Sequence, residues 1–507
     1  YNQRSLVMVG LWLVFLPSAT LLGSVLCNNA TVDLCPRFLV PRHGALDSPA
    51  LITVGSWVSF RCFHGYILIG PSIVTCQADG SWSGSPPTCQ RGLRGARPDA
   101  NDAELARSFS AQQVAAVRRF QNSWDSDQPL LRDSPMFSRD GPGKRWLQNI
   151  VNRLWRDYNK YRHLHRHPRQ LRQRREYRQL SRRERKRFHE ALHGMMNTAI
   201  PGTSPPMSEY HFLVSLHSQQ HSPGAHQGPA FPPWHRIFLI IFELVLQSHR
   251  PRVTLPYWDS SLDWNLPDSS DSIMFSERFL GTRTGQVTSG DFAFWNATQS
   301  CANTDNKGIL TREKVKFGRL YEDEHIEKFH SASSYSDFIT KTAFEDKHGS
   351  VHVWVGGHMD DISCAPNDPI FWMHHAMVDR LWEDFRRKSQ TTELDTDYPL
   401  LNDKGPYHHP NSTVLPFGPL KNIDGLNDIW SRYVTYNQRP VRCRSNHDCG
   451  RYLWCNQGRC MSKVKLGGNC SGLPGRSSPC ECGKCSINGT CETSSGYTYS
   501  GNACPLV

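Results

Sequence analysis

The stretch FEDKHGSVHVWVGGHMDDISCAPNDPIFWMHHAMVDRLW, residues 344–382, decides how the rest of the chain is read. His348 and His352 stand four apart, so on a helix both imidazoles project from one face, about one turn from each other. That is a metal-ligand spacing. A zinc protease would carry Glu directly after the first histidine as its general base; the residue here is Gly349, which argues against hydrolytic zinc chemistry. Asn367 and Asp368 then offer a helix cap, and Pro369 suits the first helical position. The apolar run that follows carries His374 and His375 and can deliver a third imidazole to the same ion.

Upstream, HFLVSLHSQQHSPGAHQGPAFPPWHRIFLIIFELVLQ begins at His211 and places His217, His226 and His235 at intervals of nine. Three imidazoles from each half would make two adjacent three-histidine sites, and imidazole suits copper, zinc, iron or nickel. Copper matches best, because no thiolate or carboxylate is required and each ion keeps an open face for a small bridging molecule such as dioxygen. On the residues alone, His211 and His221 compete with His217 for the first ligand position.

FPPWHR with its trailing FE, LPYWDSS at 255–261, HGSVH followed by WVGG, and NDPIFWMHHAMVD together resemble the tyrosinase, catechol oxidase and haemocyanin family of coupled binuclear copper proteins. The resemblance runs from near Lys144 to near Pro440, with its motifs in the family's order. It implies two copper ions, one held by His217, His226 and His235 and the other by His348, His352 and His375, with His374 as the adjacent non-ligand. It also implies dioxygen as co-substrate for oxidising o-diphenols to o-quinones and for hydroxylating monophenols. Glu345 resembles the family's water-holding carboxylate, and Glu345 and Asp379 are candidates to orient the imidazoles. Two positions depart from common members. Gly224 replaces the Cys that elsewhere forms a thioether to the second histidine, so no thioether can form, and Gly349 replaces the Asn frequent in efficient monophenol hydroxylators. Ile362 matches a gate position over the second copper, where a branched aliphatic narrows the entrance without closing it.

The chain of 507 residues is long enough for several domains and a sizeable core. Its 17 cysteines cluster, four between Cys35 and Cys89 and ten between Cys443 and Cys504, which reads as two disulfide frameworks in an oxidising compartment. Arg4 precedes an apolar run from Leu6 to Leu22, as in a secretory signal, here placed at 1–26. No other stretch is apolar enough to span a bilayer, so no membrane association is expected. Asn29, Asn296, Asn411 and Asn488 begin glycosylation sequons. The net charge of +12 sits largely in the basic run Arg162–His189, but no nucleic-acid-binding motif accompanies it. We read that run as a solvated helix face with Ser181 as cap and Phe188 and Leu192 turned inward, and expect no nucleic-acid partner. His163, His165 and His167 within it read as surface groups.

Residues 35–90 contain short β-rich runs punctuated by Gly and Pro, and resemble a sushi (complement control) module. The resemblance implies the pairs Cys35–Cys76 and Cys62–Cys89 and a core Trp82, and such modules serve as spacers or matrix-binding units. Residues 91–143 turn polar and Arg/Gly-rich and read as a linker, apart from a short helix at Ala103–Phe120. The copper domain spans 144–440, opening with Trp146, Ile150, Leu154 and Tyr158 at helical spacing. The apolar run Arg236–His249, ending before Pro251, suits burial in a four-helix core. Leu262–Lys341 reads as loops over that core; Cys301 and Cys364, the domain's two cysteines, are candidates for a bridge, and His408 and His409 read as structural. Residues 441–507 form a Cys-rich module whose connectivity the spacing leaves open. The fold class is therefore multidomain: a mainly α copper domain on a four-helix bundle core, between an all-β sushi module and a Cys-rich module. The expected function is a secreted tyrosinase-type phenol oxidase acting on small phenols or protein-bound tyrosine, for melanin formation or quinone cross-linking. The alternatives are a haemocyanin-like oxygen carrier and a non-catalytic matrix protein.

Overall fold

The computed structural model describes residues 35–91 apart from 37, 39, 43, 48–51, 63–65 and 72, together with 109–124, 141–162, 172–298, 308–313, 317–388, 398–399, 405–475 and 479–493. The expected signal segment, Asn29, the histidines at 163, 165 and 167, and Cys301 lie outside the described residues.

At the N-terminal end, strands β1 (Gly44–Asp47), β2 (Trp57–Cys62), β3 (Tyr66–Ile69), β4 (Ile73–Thr75) and β5 (Thr88–Arg91) form an antiparallel sheet ordered β1-β2-β4 and a second pair, β3-β5. Leu46 lies opposite Phe60 and Val58 opposite Val74. Alternation along each strand puts these four apolar side chains on one face, where they form the module's small core. So small a core needs a staple, and Cys35–Cys76 supplies one. Cys89 is also disulfide-bonded, while the side chain of Cys62 lies outside the described residues. Trp82 is half-buried rather than fully enclosed; it packs on Phe38 and donates its indole N–H to the carbonyl of Pro36 at 2.8 Å.

The short helix expected within the linker stretch is present, and it packs on the helical domain. Helix α1 (Ala111–Asn122) forms within that stretch, fixed by a capping box in which the Ser110 hydroxyl accepts from the Gln113 amide and the Gln113 side chain accepts from the Ser110 amide. Ala116, Val117 and Phe120 share one face and are buried. A spacer would leave that face in water; here it packs on the helix that carries His348 and His352.

Helix α2 (Pro142–Tyr161) starts with Pro at its first position and buries Leu147, Val151, Leu154 and Tyr158; Trp146 and Ile150 flank this stripe. After strand β6 (Arg172–Arg174), helix α3 (Arg182–Asn197) begins at Ser181, capped through Glu184, with Phe188 and Leu192 in the core. Helix α4 (Glu209–Leu216) is short and ends at His217. Helix α5 (Phe231–His249) starts five residues earlier than the apolar run suggests, because Pro232 and Pro233 fit a first turn that needs no amide donors.

Between the two histidine sets the chain is not purely loop. It forms helix α6 (Ser261–Trp264), the strand pair β7 (Gly285–Gln286) and β8 (Thr311–Arg312), and helices α7 (Asp323–Ser331) and α8 (Tyr335–Thr340). The last two are too short to stand alone and are held by burying Phe329, Tyr335 and Phe338. Helix α9 (Phe344–Val355) stops at Gly356, whose φ of 67° ends the helical path. Helix α10 (Pro369–Lys388) begins after Asp368, whose Oδ1 accepts from the Ile370 amide while its carboxylate grips the buried Arg312. Helix α10 packs against α5 and α7, and α5 also against α3 and α2. Helix α11 (Ile429–Tyr433) and strand β9 (Val434–Tyr436) close the domain, β9 running parallel to β6. Cys364 is disulfide-bonded.

The C-terminal module consists of helix α12 (Asn446–Cys449) and hairpins β10 (Leu453–Asn456)/β11 (Arg459–Ser462) and β12 (Lys484–Cys485)/β13 (Cys491–Glu492). Disulfides join Cys443–Cys455, Cys449–Cys460, Cys470–Cys485 and Cys480–Cys491. The module is not independent of the helices: Leu266 is buried among Trp454, Met461 and Val464, and Leu262 among Cys449, Leu453 and Cys460. Among the described residues, no helix is long and apolar enough to cross a membrane.

Candidate metal centre

Six imidazoles converge as two triads. His217 sits at the C-terminal cap of α4, His226 in the loop before α5, and His235 in the second turn of α5. His348 and His352 share one face of α9, and His375 faces them from α10. Each set brings three ring nitrogens within 4.8 Å of one another. Nε2 of His217 lies 3.0 Å from that of His226 and 3.2 Å from that of His235; Nε2 of His375 lies 3.2 Å from that of His348 and 3.1 Å from that of His352. The triads adjoin, with the rings of His235 and His375 stacked 4.4 Å apart.

These nitrogen contacts are not hydrogen bonds. Five of the six rings turn Nδ1 to an oxygen that can only accept: His217 to the Ile362 carbonyl (2.8 Å), His226 to Glu345 Oε1 (3.1 Å), His235 to Phe231 O (2.9 Å), His348 to Glu345 O (3.2 Å) and His352 to Met359 O (3.1 Å). Nδ1 must then carry the proton, which leaves Nε2 as a bare lone pair. Burial also keeps the rings uncharged. All six are at most 2% exposed, and desolvation pushes His217 down to about 3 and the other five well below the ordinary imidazole value. Converging lone pairs in a dry interior repel unless a cation sits among them, so the residues fit a metal ion at each triad. Two further groups of three cysteines lie close together, but they are already joined in disulfides and offer no thiolates.

The competing histidines point elsewhere. Nε2 of His211 meets the Asn296 carbonyl at 3.2 Å, and Nδ1 of His221 meets that of Ser215 at 3.0 Å. His374 stacks on His348 at 5.2 Å and turns its Nε2 to the His348 carbonyl. His408 is buried against Gly228, and His409 is exposed.

Glu345 bridges the two halves: from α9 its carboxylate accepts from Nδ1 of His226 and from the Gln227 amide at 2.8 Å. The expectation that Asp379 orients His375 is corrected. Asp379 accepts from Arg236 Nε at 2.7 Å and from the Tyr436 hydroxyl, while Nδ1 of His375 meets no hydrogen-bond partner among the described residues. Arg236 also pairs with Glu383, so this buried network locks α5 to α10 rather than touching an imidazole. Ile362 is buried, and the contact it makes to the centre is through its carbonyl to His217 of the first triad. Gly224 has a local reason: a Cβ there would lie 2.8 Å from the Tyr407 carbonyl oxygen. At Gly349 a Cβ would lie 3.1 Å from the Phe120 ring.

Sequence reasoning missed the aromatic shell supplied by the supposed linker. Phe120 stacks on His352 at 4.8 Å, and Trp124 meets His226 edge-on at 4.7 Å. Their trace in the sequence is that Phe120 and Trp124 are two of four large aromatics, with Phe109 and Phe137, in an otherwise polar stretch.

The description "Common central domain of tyrosinase" matches residues 207–388, which enclose all six histidines, and "Sushi repeat (SCR repeat)" matches residues 37–89. A tyrosinase-like protein of Caenorhabditis elegans is 35% identical over 345 residues, covering 64% of this chain and 47% of that one, so the chain spans about half the length of that relative. Tyrosinase-like protein 2 of Margaritifera margaritifera is 31% identical over 350 residues, covering 63% of this chain and 74% of that one. Among solved structures, a polyphenol oxidase of Thermothelomyces thermophila aligns with a TM-score of 0.45 at 17% identity, covering 65% of this chain and 99% of that one. With the paired histidine triads inside the matched central domain, the chain belongs to the tyrosinase family.

Proposed function

We propose that the chain is a secreted copper phenol oxidase that uses dioxygen to oxidise o-diphenols to o-quinones and to hydroxylate monophenols. The observation that carries this reading is the pair of adjoining triads, six neutral imidazoles with no thiolate or carboxylate among them. Such a donor set tolerates both oxidation states of copper and leaves each ion an open position. His217, His226 and His235 would hold one ion and His348, His352 and His375 the other. When bound, the copper pair supplies the dioxygen and electron-transfer chemistry of phenol oxidation. The chain's own residues do the rest: Glu345 sets the tautomer and angle of His226, five Nδ1 contacts aim the rings, and Phe231 and Phe371 line a dry aromatic surround.

The finer parts of this reading follow the sequence. Residues 1–26 are the secretory signal, the four-helix core is built around α5 and α10, and the domain boundaries fall near 90, 143 and 440. Phenols or protein-bound tyrosine are the substrates, with melanin or cross-linked extracellular matrix as product and the sushi module as a matrix contact. The test is oxygen uptake by copper-loaded protein with an o-diphenol and with a monophenol, beside His352→Ala. Uptake with both that vanishes in the variant supports the full reading, and uptake with the diphenol alone limits it to catechol oxidation. A haemocyanin-like carrier has one observation in its favour, the near-complete burial of all six histidines; reversible oxygen binding without turnover by fully loaded protein would favour it.

A further inference from the structure

A cleft of about 1440 Å³ opens where the three modules meet, far from the histidines. The sushi module gives it an apolar wall that includes Phe38 and Val40, while the copper domain and the Cys-rich module supply hydroxyls and amides, among them Thr284, Ser289, Asn456 and Gln457. Polar groups facing an apolar wall suit a sugar, whose ring has a hydroxyl rim and an apolar face. The volume exceeds the roughly 300–1,000 Å³ of a small-molecule pocket, so it admits a branched oligosaccharide. Beside this cleft the sushi module meets the copper domain, where the Leu46 amide on the outer edge of β1 donates to the Pro267 carbonyl at 3.1 Å. Modules that meet beside so large a gap move relative to one another unless something bridges it.

Asn488 stands on the wall of the cleft, in the turn that joins β12 to β13. It is exposed, and its side chain makes no hydrogen bond among the described residues. Asn488-Gly489-Thr490 is an acceptor sequence for N-glycosylation. The turn fixes the middle residue: φ at Gly489 is 77°, and a Cβ there would lie 2.6 Å from the Cβ of Ser471. Thr490 joins the turn through its backbone, its amide donating to Ser486 Oγ at 3.2 Å and its carbonyl accepting from the Ser486 amide at 2.8 Å, so the turn does not require its hydroxyl. A second acceptor sequence, Asn469-Cys470-Ser471, borders the same cleft. Asn469 is half-buried, however, and its Oδ1 is held by the Ser471 amide at 2.9 Å and hydroxyl at 2.6 Å. Asn488 is the accessible one.

We propose that Asn488 carries an N-linked glycan that lies in this cleft and ties the sushi module to the copper and Cys-rich modules. Its presence rests on the secreted reading, since a chain must enter the secretory route to meet the donor, a lipid-linked oligosaccharide diphosphate. In the transfer, Nδ2 of Asn488 displaces the diphosphate from the anomeric carbon. The N–C bond forms, the C–O bond breaks with its electron pair staying on the diphosphate, and one amide proton leaves for solvent. The first sugars then start at the cleft wall, and attachment gives them a high effective concentration against the groups opposite. Their apolar faces cover Phe38 and Val40, and their hydroxyls pair with the side-chain amides and hydroxyls of the other two walls.

The test uses the full chain made in insect cells, with its own N-terminal segment and, in parallel, with a host leader in place of residues 1–26. Absence of the first from the medium would overturn the secreted reading alone, because the second still carries Asn488 past the donor. Peptide mass spectrometry after enzymatic deglycosylation in heavy-oxygen water reads occupancy, and Asn488 should be occupied. Amide hydrogen exchange at Leu46 reads the joint. It should quicken by about tenfold in Asn488→Gln, in Thr490→Ala and in the deglycosylated wild type alike, the equivalent of one or two lost hydrogen bonds, with exchange at Val58 in the central strand β2 unchanged. Asn411→Gln, which removes an acceptor away from the cleft, should leave Leu46 as it was. An unoccupied Asn488 in protein recovered from the medium would overturn the glycan. Equal exchange at Leu46 in all forms would overturn its place in the cleft, as would equal quickening in Asn411→Gln.

Discussion

The two histidine triads are built differently. The second is almost self-sufficient: His348 and His352 come from one helix, and their Nδ1 protons go to carbonyls of that helix and of the turn just after it. The first is assembled from a helix end, a loop and a helix start, and two of its three rings are aimed by acceptors from the other half of the domain, the Ile362 carbonyl and the Glu345 carboxylate. The lesson is one of dependence. The second triad can take shape once α9 meets α10, whereas the first has no defined geometry until the second half is in place.

Breaking what the triads share should have the largest effect. Asp379→Ala leaves the buried Arg236 without one of its carboxylates, and loss of one partner in a buried pair costs about 3–5 kcal/mol. Because this network ties α5 to α10, urea unfolding should show that loss, and copper binding should weaken at both triads together. Glu345→Ala separates them: chelator competition should show about 10–100-fold weaker copper binding at the first triad with the second unchanged. Equal losses at both would mean that the dependence runs in both directions.

Smaller effects refine the picture. Gly224→Ala sets a methyl group against the Tyr407 carbonyl in the loop that carries His226, and overpacking of this kind costs about 1–3 kcal/mol. The melting temperature should fall while the second triad keeps its metal. The pH dependence should come partly from outside both triads. His189 and His325 are buried and held below the ordinary imidazole pKa of 6.5 by desolvation. The unfolded chain takes up these protons as the pH drops through 6.5 while the folded protein does not, so the stability they contribute is complete above 6.5 and is lost toward acid. His325→Asn should flatten the acid limb of the urea midpoint in metal-free protein and leave copper binding at both triads unaltered.

The sequence by itself determined the helical pair His348 and His352 and the all-imidazole chemistry of both triads, while the choice of His375 over His374 rested on the family resemblance. Spacing of four on a helix, a capped helix start at Pro369 and a run of histidines without thiolate or carboxylate are local signals, and local geometry suffices to read them. It also carried the cysteine clusters and the β-rich N-terminal module, because strand alternation and disulfide density are written in composition. Only the tertiary structure decided which acceptors aim the first triad, since a sequence separation of 145 between His217 and Ile362 leaves no periodic trace. The same holds for Asp379, whose spacing from His375 fits a helical neighbour but whose charge is claimed by an arginine on another helix. Most plainly it holds for Phe120 and Trp124. In a polar stretch two aromatics read as incidental, and their meaning comes from the face they cover, which no local pattern encodes.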